Sequence, residues 1–193
     1  VSIDDAPRAP EFLDILRQRV SERTRLHCIS TAEYMASFAE AASINREDAV
    51  TAGLLHDMCK AMSDEELLAA AERYNVSTNN AQQKKPSLLH GPIAAEECAR
   101  NLNVDPAICD AIRWHTTGSP KMGSLGLALY VADFSEPLRK YPEASITREI
   151  LIREGFQAAL RHVSRMKLEH IRRKPYMDPS TEAFHAWLAS ELP

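Results

Sequence analysis

Glycine is scarce in this chain, with six in 193 residues, and aromatic side chains make up only 6%. No segment alternates apolar and polar residues in the manner of a half-buried strand. Little glycine and much Ala, Leu, Glu and Arg favour helix over sheet. No apolar run approaches the roughly 18–20 residues that span a bilayer. The longest candidate, Leu125 to Phe134, is too short and contains Asp133. No apolar leader stands at the N-terminus, so no signal peptide is expected. The chain opens on Val1 rather than Met, which leaves room for residues upstream. A strong charge of one sign is also missing. The net charge of −4 supplies no general attraction to nucleic acid or to an anionic membrane, although a local basic pocket remains open. The four cysteines (Cys28, Cys59, Cys98, Cys109) contain no CxxC pair. They read as reduced, apolar packing residues of a cytoplasmic protein rather than as a disulfide framework.

What is present is a succession of amphipathic helices in a chain long enough for one substantial domain. The spacing of Phe12, Leu13, Leu16 and Val20 predicts a first helix over Pro10–Val20. Ser21 caps a second, which carries His27. Asn45 caps a third, with Glu47 and Asp48 in its first turn. Ser63 with Glu66 is a capping box for a fourth. Val76–Pro86 reads as a polar loop, followed by a helix over Ile93–Leu102. Asp105-Pro106 starts another that runs to His115. Further helices are expected over Gly123–Phe134, from Thr147 to about Lys174 with a break near Gly155, and over Pro179–Leu192. The fold class is all-α, a bundle of about eight or nine helices in a single domain over residues 1–193. Its core lies at about 20–175, with C-terminal helices at about 147–192 packing on it.

Six polar residues stand out against the apolar patterns: His27, His56, Asp57, His90, His115 and Asp133. His56-Asp57 closes an apolar helix, and Asp133 interrupts Leu127-Ala-Leu-Tyr-Val-Ala. A buried imidazole or carboxylate needs a partner. For Asp133 that partner is a metal, a helix N-terminus, or an arginine such as Arg113 or Arg139. The remaining histidines, His162, His170 and His185, lie in charged or amphipathic helices and read as solvated. Four imidazoles and two carboxylates at one point suffice for two metal ions. The donor set suits Fe, Mn, Co or Zn better than Ca or Mg. Asp57 can bridge the ions while His56 binds one of them. A two-metal site fits phosphoryl chemistry. Lys60, Arg113, Arg139 and the turn Thr116-Thr117-Gly118 lie next to the ligands in sequence and are candidates for binding phosphates.

The segments Leu54-Leu55-His56-Asp57-Met58-Cys59-Lys60, Leu89-His90-Gly91-Pro92, Arg113-Trp114-His115-Thr116-Thr117-Gly118 and Tyr130-Val131-Ala132-Asp133 with Glu136-Pro137 resemble the HD-domain metal-dependent phosphohydrolases. Within them the chain is similar to the YqeK branch, the symmetrical bis(5′-nucleosyl)-tetraphosphatases of bacteria. The resemblance covers roughly residues 20–175. It implies a helical HD fold with a di-iron or similar dinuclear centre. It also implies cleavage of diadenosine tetraphosphate to two ADP. Carried over, one metal would take His27, His56, Asp57 and Asp133; Asp57 would bridge to a second held by His90 and His115. His56, Asp57 and Lys60 would be the catalytic set. The chain departs from the family pattern at Leu138, where the motif usually has glycine, at Met58, where an aromatic residue is common, and at Thr24, where arginine is frequent. Another HD nucleotide phosphohydrolase (a nucleotidase or a deoxynucleoside triphosphatase) and a non-catalytic nucleotide sensor are the alternatives. The partner expected is a nucleotide, with no nucleic acid or membrane, and a homodimer through an apolar helix face stays open.

Overall fold

The computed structural model describes Ile3 and residues 6–191. Eleven α-helices and no strand occur among them: α1 (Ala9–Arg19), α2 (Glu22–Ser37), α3 (Arg46–Leu55), α4 (Asp64–Tyr74), α5 (Asn80–Lys84), α6 (His90–Asn101), α7 (Pro106–Trp114), α8 (Ser124–Ser135), α9 (Pro142–Glu154), α10 (Phe156–Ile171) and α11 (Pro179–Glu191). A 3₁₀ turn, Pro86–Leu89, leads into α6. The all-α expectation holds, with more helices than eight or nine.

The helix starts follow local chemistry. The side chains of Ser21, Asn45 and Asp105 accept backbone N–H groups of their first turns. Ser63 and Glu66 form the reciprocal box. The differences from the expected boundaries have similar causes. Asn79 and Gln82 make a second capping box inside the expected polar loop, enough to hold the single turn of α5. α6 starts at His90 rather than Ile93, because Pro92 lies in the first turn, where its missing N–H costs no bond. α9 starts five residues before Thr147, with Pro142 at its first position. Gly155, at φ +90°, separates α9 from α10. The last helix is described to Glu191, and Leu192 lies outside the described residues.

The larger apolar core joins α1 to α4 and α6 to α8, from Phe12 and Leu16 through Leu54, Leu55 and Ile93 to Ile112 and Leu129. A second cluster packs Tyr130 and Val131 of α8 against Leu160 and Val163 of α10 and Phe184 and Leu188 of α11. Helix α8 therefore carries apolar contacts on both sides. The four cysteines are free and buried. No described helix is long and apolar enough to cross a membrane.

His185 is not solvated as expected: it is buried and its Nδ1 lies 2.6 Å from the Ser164 hydroxyl. Burial pushes it down to about 4. His162 is half-buried against Thr147, at 2.9 Å, and His170 is exposed. A wholly solvated reading failed for His185 because α11 turns its Phe184, His185 and Leu188 face onto α10.

Candidate metal centre

Two close helix approaches build the site. At Gly53 of α3 a Cβ would stand 2.4 Å from the Cα of Ala32 in α2. Only glycine lets these helices meet so closely, and the approach sets His27 of α2 beside His56 at the end of α3. At Gly91 a Cβ would stand 3.0 Å from the carbonyl oxygen of Ile112 and 3.1 Å from His115 Nδ1. That contact sets His90, at the start of α6, beside His115, at the end of α7. Asp133 arrives from α8, between the two cores.

Three of the imidazoles are oriented in the same way. Nδ1 of His56, His90 and His115 lies 2.8, 2.6 and 2.8 Å from the carbonyl oxygen three residues earlier (Gly53, Ser87, Ile112). A carbonyl only accepts, so each Nδ1 donates and each neutral Nε2 presents a lone pair. Yet His90 and His115 point their Nε2 atoms at each other across 3.0 Å. His27 and His56 do so across 3.3 Å. Facing lone pairs repel unless a proton or a cation lies between them. The Asp57 carboxylate separates the two imidazole pairs. Its Oδ2 is 3.6 Å from His56 Nε2 and 3.9 Å from His27 Nε2; its Oδ1 is 3.0 Å from His90 and 3.5 Å from His115. Oδ1 is buried and has no hydrogen-bond partner. Two ligand groups result, His27–His56–Asp57 and Asp57–His90–His115, with Asp57 common to both. The donors fit two ions bridged by one carboxylate.

His27 is held differently. Its Nδ1 lies 3.0 Å from Glu136 Oε1 and its Nε2 3.1 Å from Asp133 Oδ1. Burial opposes its protonation, but these two carboxylates overcome burial and push it up to about 9. His56, buried and close to His115 and His27, is pushed down to about 3 in spite of Asp57. Burial would raise the Asp57 carboxyl, and the surrounding His56, His115 and His90 instead hold it well below the usual carboxylate range. Burial acts likewise on Asp133, where His27 and Lys167 outweigh it.

A cavity of about 650 Å³ opens over the cluster, with His115 and Asp133 in its wall. Of the phosphate-binding candidates, Lys60, Thr116, Thr117 and Arg139 line it. Lys60 Nζ lies 3.4 Å from Asp57 Oδ1 and 3.2 Å from His90 Nε2. The Thr116 hydroxyl donates to His115 Nε2 at 3.0 Å. Arg139 donates to Asp133 at 2.9 Å, the arginine partner that the sequence suggested for that carboxylate. The other two candidates are placed elsewhere. Arg113 pairs with Glu96 at 2.6 Å and does not line the cavity. Gly118, at φ +75°, turns its Cα against the Phe184 ring, where a Cβ would stand 2.2 Å away.

Two residues of the site were given no role there by the sequence, although Glu136 stands in a motif segment. Glu136, fully buried, accepts from His27 and from the Ser30 hydroxyl. Lys167 reaches Asp133 from α10. Their signals were faint: a carboxylate one helical turn beyond Asp133, and a lysine on the buried face that carries Leu160, Val163 and Ser164. The departures from the motif are absorbed. Met58 is buried in the core and Thr24 stands in the first turn of α2. Among the described residues only Ser43, Asn75 and Asn103 are non-glycines with positive φ, so Leu138 occupies ordinary backbone that does not require glycine.

This is the architecture of the HD domain, a helical fold that gathers histidines and aspartates at its centre. Residues 24–185 match the HD domain family, and the chain belongs to it. It is 28% identical over 181 residues to the symmetrical bis(5′-nucleosyl)-tetraphosphatase of Bacillus subtilis, covering 93% of this chain and 97% of that one. It is 25% identical over 142 residues to the protein of the same name from Staphylococcus aureus, covering 73% of each. The fold superposes with a TM-score of 0.87, at 22% identity, on a predicted HD superfamily hydrolase involved in NAD metabolism from Clostridium acetobutylicum, covering 94% of this chain and 96% of that one.

Proposed function

We propose that this chain, acting as one HD domain, is a metal-dependent hydrolase that cleaves dinucleoside tetraphosphates, diadenosine tetraphosphate first among them, symmetrically to two nucleoside diphosphates. The observation that carries the reading is the single buried Asp57 carboxylate shared by two imidazole pairs, in a cluster whose His115 and Asp133 line a cavity together with Lys60, Arg139 and Lys167. His27, His56 and Asp57 would hold one ion, and Asp133 stands beside His27 at 3.1 Å. Asp57, His90 and His115 would hold the second. Iron suits this nitrogen-rich donor set, as do manganese, cobalt and zinc.

Such a pair of divalent ions supplies Lewis acidity to phosphoryl oxygens and makes water acidic enough to attack near neutral pH. The chain's own residues do the rest. The backbone carbonyls of Gly53, Ser87 and Ile112 fix three imidazoles with Nε2 toward Asp57. Glu136 does the same for His27. Lys60 stands over Asp57 and His90, where it can draw a phosphate onto the ligand cluster. Thr116 lines the cavity beside His115, where its hydroxyl could donate to a phosphate oxygen. Symmetrical products require the central phosphorus atoms to lie over Asp57, with a nucleoside on either side.

The test is product analysis by chromatography with protein loaded separately with Fe(II), Mn(II) and Co(II). ADP as the sole product from diadenosine tetraphosphate is the expected result. ATP plus AMP would retain the hydrolase and overturn the central placement. No product with any metal would overturn the reading in favour of another nucleotide substrate or a sensing role.

A further inference from the structure

Lys167 is a nearly buried cation beside the ligand cluster whose contacts to oxygen are long. Its side chain is only 15% exposed. Its ammonium lies 3.4 Å from the carbonyl oxygen of His115, 3.6 Å from Asp133 Oδ2 and 3.7 Å from the centre of the Tyr130 ring. Both contacts to oxygen are long, since charge-assisted N–H···O bonds usually run about 2.7–2.9 Å, and the ring contact is an ordinary cation–π approach. Arg139, on the other oxygen of Asp133, achieves 2.9 Å. Asp133 is its one carboxylate partner, at a distance that leaves the ammonium's donors without a short acceptor, and a second anion would satisfy them. Lys167 also lines the cavity, so an anion can reach it. The ring of Tyr130 and the carbonyl of His115 hold the charge in place.

We propose that Lys167 binds the phosphate chain of the substrate directly, as a fixed second cation complementary to Lys60. The two meet different carboxylates of the ligand cluster, Lys60 that of Asp57 and Lys167 that of Asp133. A chain of phosphates laid across Asp57 then meets Lys60 near its centre and Lys167 on the Asp133 side. Lys60, with 47% of its side chain exposed, is free to follow the substrate. Lys167 is not, and it sets where along the chain the central phosphorus atoms lie. The assignment rests on the phosphohydrolase reading above.

Lys167→Met and Lys167→Arg in the full, metal-loaded chain test it. A lost hydrogen bond to a charged group costs about a factor of ten or more in binding. Lys167→Met should keep its metal content and its melting temperature. It should raise KM for diadenosine tetraphosphate at least about tenfold, and weaken calorimetric binding of inorganic triphosphate by a similar factor. Lys167→Arg should recover most of both. Metal loss in Lys167→Met with unchanged activity per bound metal would overturn the proposal and leave Lys167 a residue that only orients Asp133. Unchanged KM and unchanged triphosphate binding would overturn it as well. If Lys167→Met does not fold, Lys167→Gln takes its place under the same criteria. Wild-type protein inert toward every nucleotide would defeat the phosphohydrolase reading instead, while triphosphate binding would still decide the role of Lys167.

Discussion

Asp57 is the residue on which both ligand groups depend, because one carboxylate faces two imidazole pairs. Asp57→Ala should abolish hydrolysis and bring metal content, read by elemental analysis, close to zero at both positions. Retention of one ion would mean that the histidines hold it without a bridge. Glu136 acts one shell further out. It fixes His27 through Nδ1, and partners of this kind commonly contribute about 10–100-fold to metal affinity. Glu136→Gln should weaken binding of the first ion by that order in a competition titration with a chelator. The second ion, at His90 and His115, should be unaffected, and loss of both together would contradict the division of ligands.

At the scale of the element, helix contacts place the imidazoles. The α2–α3 approach leaves no space for a methyl group at Gly53, since the atom it would strike is backbone. Gly53→Ala must part the helices, and overpacking of this kind typically costs about 1–3 kcal/mol. The variant should melt at lower temperature and bind the first ion more weakly, because His27 and His56 separate when α2 and α3 do. A melting temperature and metal affinity equal to those of the wild type would show that the contact does not set the site. The positions of His56, His90 and His115 at helix ends have a related consequence. Neighbours within a helix diverge by about 100°, but the chain turns after Leu55, and His56 and Asp57 converge to 3.6 Å.

For the molecule as a whole, the cluster couples stability to pH and to metal. In chelator-treated protein His27 binds its proton more tightly folded, at about 9, than unfolded, near 6.5. Its contribution is complete below pH 6.5 and lost as pH rises through 9. His56, pushed down to about 3, does the opposite: the unfolded chain takes the proton first, so stability falls as pH drops from 6.5 toward 3. The depressed carboxyls of Asp57 and Asp133 add to that acid-side loss. The melting temperature of the chelated protein should therefore peak near pH 6.5. Metal added back should raise it, because ions bind the folded state alone. The gain should grow toward pH 9, as the competing proton on His27 leaves. A melting temperature indifferent to metal across this range would refute the coupling.

Sequence by itself determined the helical class, most helix starts and the six polar residues of the centre. Those properties are local: a cap, a period and a polar side chain amid apolar neighbours are visible within a few residues of chain. Only the tertiary structure decided which polar residues share the cavity. Arg113 and Arg139 each lie close in sequence to a candidate ligand, yet one pairs with Glu96 outside the cavity and the other clamps Asp133 within it. Lys167 and Glu136 gain their meaning from partners up to 109 positions away. His185, read as solvated, lies buried on Ser164 because α11 folds back on α10. The physical reason is the same in each case. A side chain's periodicity tells whether it is turned inward, but the group it meets there is set by the packing of another helix, which sequence spacing does not encode.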